Sequence, residues 1–363
     1  MMESQNPNAT PGAPPEFPRD AVAADLAPTL KLLLAGKTLT AEQTAEAFEA
    51  MMTGKVHHGE MGALLALLAT RTPTSDEILG AARVMRAHVD RVRSSCPPDE
   101  LVDTAGTGGA PKTFNVSTAA AIVAAAAGAK VAKHGNRSRT GRGSAETLRQ
   151  LGVNVDAGRD TQTRCLDAVG VCFCFAIHHH PATKHVMPVR LALGFPTIFN
   201  LLGPLTNPAG ARRQLMGVYD ARFLKPIAEA LASLGALRAM VVHSEDGLDE
   251  ISIAAPTHIM YVDHGAVREE TIAPEDVGLS RASLDAVTAR DLEHAAVMIR
   301  DVLEGRDDGP ALAMTLLNAA ATLLVAGRAA SWRESVERAR EVIDSGAAAQ
   351  TLEQLAACSQ QER

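Results

Sequence analysis

The spacing of apolar residues divides the chain into two regions of different texture. From residue 21 to about residue 93, apolar residues recur at helical spacing. Two segments there begin with the spacing of a capping box: Thr40 with Gln43, and Thr74 with Glu77. This region predicts a small bundle of about four helices.

After Cys96-Pro97-Pro98 the pattern changes to short apolar runs that end in glycine-rich turns and are followed by helical segments. Strands are expected at residues 101–104, 129–132, 171–176, 239–243 and 258–262. Helices are expected at residues 116–127, in a second segment that ends near residue 152, and from about residue 291 to 357. Strands separated by helical crossovers predict an α/β fold with a mostly parallel central sheet, whose ligands bind at the carboxyl ends of the strands.

Three segments follow from these patterns. Residues 1–20 contain five prolines among polar residues, so they cannot bury enough apolar surface to order themselves and are expected to be a disordered tail. Residues 21–95 form the small helical domain, which part of residues 180–205 is expected to join. Residues 96–363 form the large α/β domain.

Composition narrows the class of partner. With 35 basic and 42 acidic residues and a net charge of −7, the chain has no general basic field for nucleic acid or an anionic membrane. No apolar run reaches the roughly 18 residues of a membrane span. Five cysteines, an odd number, indicate reduced thiols and a cytoplasmic protein. Cys172 and Cys174 alternate on an apolar strand and are expected to be buried core thiols.

Glycines follow the first predicted strand of the large region. Gly106, Gly108 and Gly109 allow backbone amides to approach an anion closely. The segment ahead of the next helix adds side-chain donors and a positive helix end. Taken alone, such a turn is equally compatible with a tight strand-to-helix connection.

Basic and hydroxyl side chains follow the end of the next predicted strand. Lys133-His134-Gly135-Asn136-Arg137 is followed by Ser138, Arg139, Thr140, Arg142 and Ser144. Because adjacent strand ends of a parallel sheet share a rim, the two loops are expected to face one ligand with several phosphate charges. The alternative is a solvated basic turn.

Two other features have plain interpretations when taken alone. Asp249 and Glu250 could be a surface turn, and Arg190 an exposed charge on a helix. The run His178-His179-His180, with His185, could suggest a transition-metal site, but a polar loop is the simpler interpretation.

Five motifs in order, GTGG…TFNVST, KHGNR…GSA, HPATKHVMPVR, TIFNLLGPLTNPA and GLDEIS, resemble the anthranilate phosphoribosyltransferase family over nearly the whole chain outside the tail. The resemblance implies a nucleoside phosphorylase/phosphoribosyltransferase-like fold. It implies transfer of the phosphoribosyl group of phosphoribosyl pyrophosphate to the amine of anthranilate, with Mg²⁺, in tryptophan biosynthesis. It also implies a homodimer formed through the helical domain.

The resemblance also implies a role for each matching position. Phosphoribosyl pyrophosphate would contact Gly106, Gly109, Ala110, Thr113, Asn115, Val116, Ser117, Thr118, Lys133, His134, Gly135, Asn136, Arg137 and Ser144. Anthranilate would contact Gly106 and Asn136 on its amine side, Arg190 through its carboxylate, and His134 and Pro204 along its channel. The magnesium ligands would be Ser117, Asp249 and Glu250.

This sequence departs from the family's pattern at three places. Ala110 and Pro111 stand where an acid usually follows the glycines, and both phosphate loops are one residue short. Arg139, Thr140 and Arg142 replace small hydroxyl residues, and Pro196 replaces an arginine. Two alternatives therefore stay open: a pyrimidine nucleoside phosphorylase-like enzyme, and a non-catalytic nucleic-acid-binding paralogue.

Overall fold

The protein has the expected α/β fold with a helical N-terminal region. The structure is a computed structural model that describes residues 24–110, 113–138 and 141–361. The expected disordered tail at residues 1–20 lies outside the described residues, as do Pro111, Arg139 and Thr140. Within the described residues, no helix has the length and apolar character needed to cross a membrane.

The N-terminal region is a bundle of four helices: α1 (Ala27–Leu34), α2 (Ala41–Met52), α3 (His58–Ala69) and α4 (Ser75–Ala87). Both predicted capping boxes are confirmed. Thr40 Oγ1 accepts from the Gln43 amide at 3.2 Å, and Gln43 Oε1 accepts from the Thr40 amide at 3.0 Å. These bonds satisfy two amide donors that the start of α2 would otherwise leave without a partner.

Within the described part of the chain, the central sheet has seven strands in the order β3-β2-β1-β4-β5-β6-β7. Their bounds are β1 (Leu101–Asp103), β2 (Lys130–Gly135), β3 (Val171–Phe175), β4 (Arg213–Gly217), β5 (Arg238–Ser244), β6 (Thr257–Asp263) and β7 (Ala266–Ile272). The first five strands in this order pair in parallel, and the β5–β6 and β6–β7 pairs are antiparallel. The mostly parallel sheet is therefore confirmed.

Three details of the sheet differ from the prediction. β2 continues through Gly135, which pairs with Phe175, so the predicted loop residues Lys133 and His134 belong to the strand. β4 was not predicted, because Leu215 and Met216 make only a short apolar run. β7 was not predicted either, because it lies at the sheet edge and carries mostly exposed, charged side chains.

Eleven further α-helices follow in the described residues: α5 (Val116–Ala126), α6 (Ser144–Gln150), α7 (Arg159–Arg164), α8 (Ala176–His179), α9 (Met187–Leu193), α10 (Ile198–Leu202), α11 (Leu224–Ser233), α12 (Leu292–Leu303), α13 (Pro310–Ala326), α14 (Trp332–Asp344) and α15 (Ala347–Ser359). A π-helical turn occupies Cys165–Val169, and 3₁₀ turns occupy Pro181–His185, Pro204–Thr206, Ala221–Phe223, Pro274–Val277 and Leu284–Val287.

Two hydrophobic cores cover the sheet. One packs α5 and the C-terminal helices α12 to α15 against the strands and contains Cys172 and Cys174, which confirms both as buried free thiols. The other joins the helical bundle to α9, α10, α11 and the opposite face of β4 to β6. Arg86 of α4 crosses this second core and donates to the carbonyls of Leu205 and Leu234 at 2.7 and 3.3 Å.

The strand order reverses between β1 and β4. From β1 the chain proceeds to β2 and β3 on one side, whereas β4 and β5 lie on the other side. Such a switch point leaves a crevice at the carboxyl ends of the strands, because the connections leave in opposite directions. The loops that follow β1, β2, β4 and β5 meet at this crevice.

Candidate active site

The glycine-rich loop after β1 is fastened to the end of β4. The Thr107 amide donates to the Gly217 carbonyl at 2.9 Å, and Thr107 Oγ1 accepts from the Tyr219 amide at 3.1 Å. Gly109 has a φ of +100°, and a Cβ there would lie 3.5 Å from the Tyr219 ring. The loop is thus shaped by its contact with β4 while Gly106, Gly108 and Gly109 stay exposed.

The helix that follows the loop begins with an unusual backbone. Asn115 has a φ of +63° although it is not glycine, and its Nδ2 donates to Thr147 Oγ1 of α6 at 2.8 Å. Asparagine adopts the left-handed region more readily than most other non-glycine residues, which suits it to the tight turn before α5. Ser117 is half-buried at this helix start, but Val116 and Thr118 are fully buried. Among the described residues, the Thr118 hydroxyl at this helix start has no hydrogen-bond partner.

Lys133 connects β2 to the first loop. Its Nζ donates to Thr104 Oγ1 at 3.1 Å and to Ser117 Oγ at 3.3 Å. Burial lowers the pKa of Lys133 to about 8, although the negative charges of Asp103 and Glu250 act to raise it. A buried lysine beside a helix start attracts an anionic ligand, because its positive charge is unfavourable in the interior unless it is paired.

The loop after β2 approaches the start of α6 closely. A Cβ on Gly135 would overlap Ser144 Oγ and the Phe173 ring, so only glycine allows this approach. Asn136 and Arg137 are exposed at the mouth, where the Arg137 guanidinium lies 5.4 Å from the centre of the Phe175 ring. Arg142 Nη1 donates to the Ala289 carbonyl at 2.6 Å, which anchors this loop to the chain beyond β7.

The two acids after β5 reach the first loop. Asp249 Oδ2 accepts from the Gly108 amide at 3.1 Å, and Glu250 Oε2 accepts from Thr113 Oγ1 at 2.9 Å. A Cβ on Gly217 would overlap the Asp249 carbonyl oxygen, so the end of β4 must be glycine here. Burial and the neighbouring Asp249 charge raise the pKa of Glu250 to about 8. Two carboxylates this close favour a cation or a proton between them.

His134 forms the wall of the other side of the crevice. Its Nε2 lies 3.3 Å from Nε2 of His180, and Thr206 Oγ1 lies 3.4 Å from the same His180 atom. Pro204 is buried in the same wall, and its carbonyl accepts from Gln214 Nε2 at 2.6 Å. Three segments that are distant in sequence therefore meet here: β2, the chain before α9, and the chain after α10.

Arg190, taken alone, predicts an exposed charge on a helix, but its side chain is not fully exposed in the structure. It is half-buried on α9, and its guanidinium lies 5.1 Å from the centre of the Phe199 ring of α10. A planar guanidinium stacked on an aromatic ring keeps its N–H groups in the plane, where they can still bind a carboxylate.

The interpretation of His178-His179-His180 as a polar loop is wrong. His179 and His180 are buried, and the three rings turn to different partners. His178 contacts Asp156 at 3.0 Å, His179 contacts the Asp90 carbonyl at 2.8 Å, and His180 contacts His134. Three consecutive polar residues predicted a loop, but packing between β3 and the helical region buries two of the three histidines.

Several residues that the structure places at the site were not predicted as site residues: Asp103, Thr104, Thr107, Thr206, Gly217 and Tyr219. His180 was predicted only as part of a polar loop. Asp103 is fully buried at the end of β1, and its Oδ1 accepts from the His134 amide at 3.0 Å. Burial raises the pKa of Asp103 to about 6. A charged residue that ends an apolar strand just before a glycine-rich turn is the signal that could have identified it.

Comparison with known proteins agrees with this arrangement. The chain matches the glycosyl transferase family α/β domain over residues 98–349 and the helical bundle domain of that family over residues 27–89. Anthranilate phosphoribosyltransferase from Rubrobacter xylanophilus is 48% identical over 326 residues, which are 89% of this chain and 94% of the relative.

Solved structures give the same match. The crystal structure of anthranilate phosphoribosyltransferase from Thermus thermophilus has a TM-score of 0.85 and 41% identity, and the match covers 92% of this chain and 99% of that one. The enzyme from Saccharomyces cerevisiae in complex with phosphoribosyl pyrophosphate and Mg has a TM-score of 0.81 and 26% identity, covering 92% and 97%.

Proposed function

This chain belongs to the anthranilate phosphoribosyltransferases of the glycosyl transferase family, and we propose which of its residues carry the reaction. The enzyme transfers the phosphoribosyl group of phosphoribosyl pyrophosphate to the amine of anthranilate, in tryptophan biosynthesis. The products are N-(5-phosphoribosyl)anthranilate and pyrophosphate. A pyrimidine nucleoside phosphorylase-like enzyme and a nucleic-acid-binding paralogue are not favoured, since the relatives of known activity share the transferase reaction.

One observation carries the assignment of residues: the glycine-rich loop and the acid pair are hydrogen-bonded to each other at the switch point of the sheet. Phosphates would bind the exposed amides around Gly106 and Gly109, the start of α5 at Ser117, and the cations Lys133 and Arg137. Ala110, Asn115, Asn136 and Ser144 would complete this set. Val116 and Thr118, which the resemblance also places at the phosphates, belong to the same proposed set; both are buried, as is Lys133.

Mg²⁺ fits the donors that the site offers. Asp249, Glu250 and the Ser117 hydroxyl are hard oxygen ligands, and the Ser117 backbone amide already contacts Glu250. In the described part of the chain, no cluster of three or more His, Cys, Asp or Glu side chains could hold a metal alone. That finding agrees with an ion that takes its other ligands from phosphates and water. When bound, Mg²⁺ supplies positive charge that stabilises pyrophosphate as a leaving group.

The protein's own contribution is positioning and electrostatic stabilisation. As the bond from the anomeric carbon to pyrophosphate breaks, negative charge builds on the pyrophosphate, and Lys133 and Arg137 stabilise it. Arg190 binds the carboxylate of anthranilate, and Asn136 with the Gly106 backbone holds the amine in line for attack. His134 and Pro204 form the channel wall and exclude water. We assign no general acid or base among these residues.

The exposed apolar face of the helical domain supports a homodimer. Leu34 of α1 is 72% exposed, and Met187 and Leu191 of α9 are 39% and 71% exposed. Both helices pack on α3. Large apolar side chains exposed together are typical of a protein–protein interface. A cytoplasmic location and the division into domains at residues 95 and 96 are part of the same proposal.

The test of the proposed function is direct. Purified protein is mixed with anthranilate, phosphoribosyl pyrophosphate and Mg²⁺, and the loss of anthranilate fluorescence is followed with a metal-free control. Magnesium-dependent loss is expected. A folded protein that leaves the fluorescence unchanged contradicts the proposal, and the departures at Ala110 and Pro196 would then become its first explanation.

A further inference from the structure

Thr113 connects the glycine-rich loop to the acid pair. Its side chain is 7% exposed, and its Oγ1 donates to Glu250 Oε2 at 2.9 Å. A threonine hydroxyl has a single proton, and a carboxylate that binds a divalent cation is ionised and can only accept. While Thr113 donates to Glu250, therefore, it cannot donate to a phosphate. In the structure the hydroxyl is therefore directed at Glu250.

Glu250 is held from a second direction as well. The Ser117 backbone amide at the start of α5 contacts the same carboxylate. Thr113 and Ser117 flank Asn115, whose left-handed backbone sets the turn between them. The conformation of the loop thus brings two donors onto one acid.

Asp249 is held in a similar way by the same loop, since its Oδ2 accepts from the Gly108 amide at 3.1 Å. A carboxylate offers about four lone-pair sites, so one hydrogen bond to the loop leaves acceptor capacity for a cation. The loop therefore orients both acids through hydrogen bonds.

We propose that Thr113 is a positioning residue for the divalent metal: its hydroxyl fixes the Glu250 carboxylate in the orientation in which it binds the ion. The inference rests on the proposed function, since it takes Glu250 as a metal ligand. Groups that orient a ligand in this way commonly change metal affinity by about 10- to 100-fold when they are removed. The glycine-rich loop then serves the phosphates through its amides and the metal through Thr113.

The experiment compares Thr113→Val, which replaces the hydroxyl by a methyl group at nearly constant volume, with Thr113→Ser, which keeps the hydroxyl. Protein-bound Mn²⁺ is measured by equilibrium dialysis in the presence of phosphoribosyl pyrophosphate and without anthranilate. Thr351→Val is the matched control, because the Thr351 hydroxyl donates only within α15, to the Ala347 carbonyl at 2.9 Å. Circular dichroism and thermal unfolding of each variant report whether it is folded.

We expect Thr113→Val to raise the half-saturating Mn²⁺ concentration by about 10- to 100-fold. Thr113→Ser recovers most of the affinity, and Thr351→Val equals the wild type. In a double-mutant cycle with Glu250→Gln, the Thr113→Val change should have little further effect, because its target is already lost. Unchanged Mn²⁺ binding in Thr113→Val overturns the proposal. So does full additivity in the cycle, which would place the hydroxyl on the substrate itself.

The outcome separates this inference from the proposed function. If the wild-type protein shows no magnesium-dependent turnover, the proposed function fails first. If the wild type turns over and Thr113→Val binds Mn²⁺ like the wild type, only the role of Thr113 fails.

Discussion

The Nε2 atoms of His134 and His180 lie 3.3 Å apart in a buried wall of the active site. Two positively charged rings at this distance would repel each other, and burial already disfavours the charged form of each. Burial lowers the pKa of His180 to about 4 and that of His134 well below its usual value. Lys133 and His179 oppose protonation further, whereas Asp90 favours it weakly. The folded protein therefore holds this pair neutral.

This pair predicts a loss of stability in mild acid. An unfolded histidine titrates near pH 6.5, so between about pH 6.5 and 4 the unfolded state binds more protons than the folded state. The free energy of unfolding should fall as the pH falls through that window. His180→Gln keeps an N–H donor but cannot titrate, so its unfolding in urea should depend less on pH than that of the wild type. Exposed His264→Gln is the control, and equal pH dependence in wild type and His180→Gln would contradict the prediction.

The acid pair predicts a magnesium-dependent defect. Asp249→Asn and Glu250→Gln each remove a charged ligand without changing volume, so turnover at limiting Mg²⁺ should fall by about 100-fold or more. Rates are measured by anthranilate fluorescence across a range of Mg²⁺ concentrations. Glu245→Gln, an exposed acid in the same turn, should keep the wild-type rate. Near-normal turnover of both variants at limiting Mg²⁺ would remove these acids from the metal site.

Arg190 predicts a defect confined to the acceptor. Arg190→Lys keeps the charge but loses the planar pair of donors, so the KM for anthranilate should rise by about 10-fold or more while the KM for phosphoribosyl pyrophosphate changes little. Arg222→Lys is a matched control, since Arg222 also lies over a phenylalanine ring, 4.8 Å from the centre of Phe223. An equal rise in both KM values would instead indicate a general distortion of the site.

The buried acid of the helical domain predicts a second pH effect. Glu77 is fully buried and accepts from Arg71 and from the amides of Leu39 and Thr74. Burial opposes its charge, but these bonds outweigh burial and lower its pKa. Its stabilisation is therefore complete above the unfolded pKa of about 4.3 and is lost as the pH falls through the lower folded value.

Glu77→Gln should therefore destabilise the protein by about 1–3 kcal/mol at pH 7. The difference from the wild type should shrink below about pH 4. Urea unfolding followed by circular dichroism measures it, with exposed Glu46→Gln as the control. A difference that stays constant down to about pH 3 would mean that the charge of Glu77 is not what stabilises the domain.

The exposed apolar face predicts the oligomeric state. Leu191→Lys and Leu34→Lys place a charge in the proposed interface, so each should shift the protein from dimer to monomer in analytical ultracentrifugation. Val297→Lys on α12, where Val297 is 46% exposed, should leave the mass unchanged. A wild-type protein that is already monomeric at micromolar concentration contradicts the proposed homodimer.

The amino-acid sequence by itself determined the class of fold and the family. Capping boxes at Thr40 and Thr74 are local signals, and the change from helical spacing to strand–glycine–helix texture needs no distant contacts to be recognised. The five motifs carry the family because each is a continuous stretch of residues. Roles inferred for Asp249, Glu250 and Arg190 depended on that resemblance, since two acids or one arginine alone have no distinctive pattern.

Only the tertiary structure decided which of these residues meet. The bonds from Thr113 to Glu250 and from Gly108 to Asp249 join positions 137 and 141 residues apart. They form because β4 pairs with β1 on one side and with β5 on the other. Burial of His179 and His180 likewise depends on packing between β3 and the helical region. The two hydrogen bonds and the burial of these histidines share one physical reason. Local spacing fixes the periodicity of one segment, whereas its hydrogen-bond partners and its burial are set by segments from elsewhere in the chain.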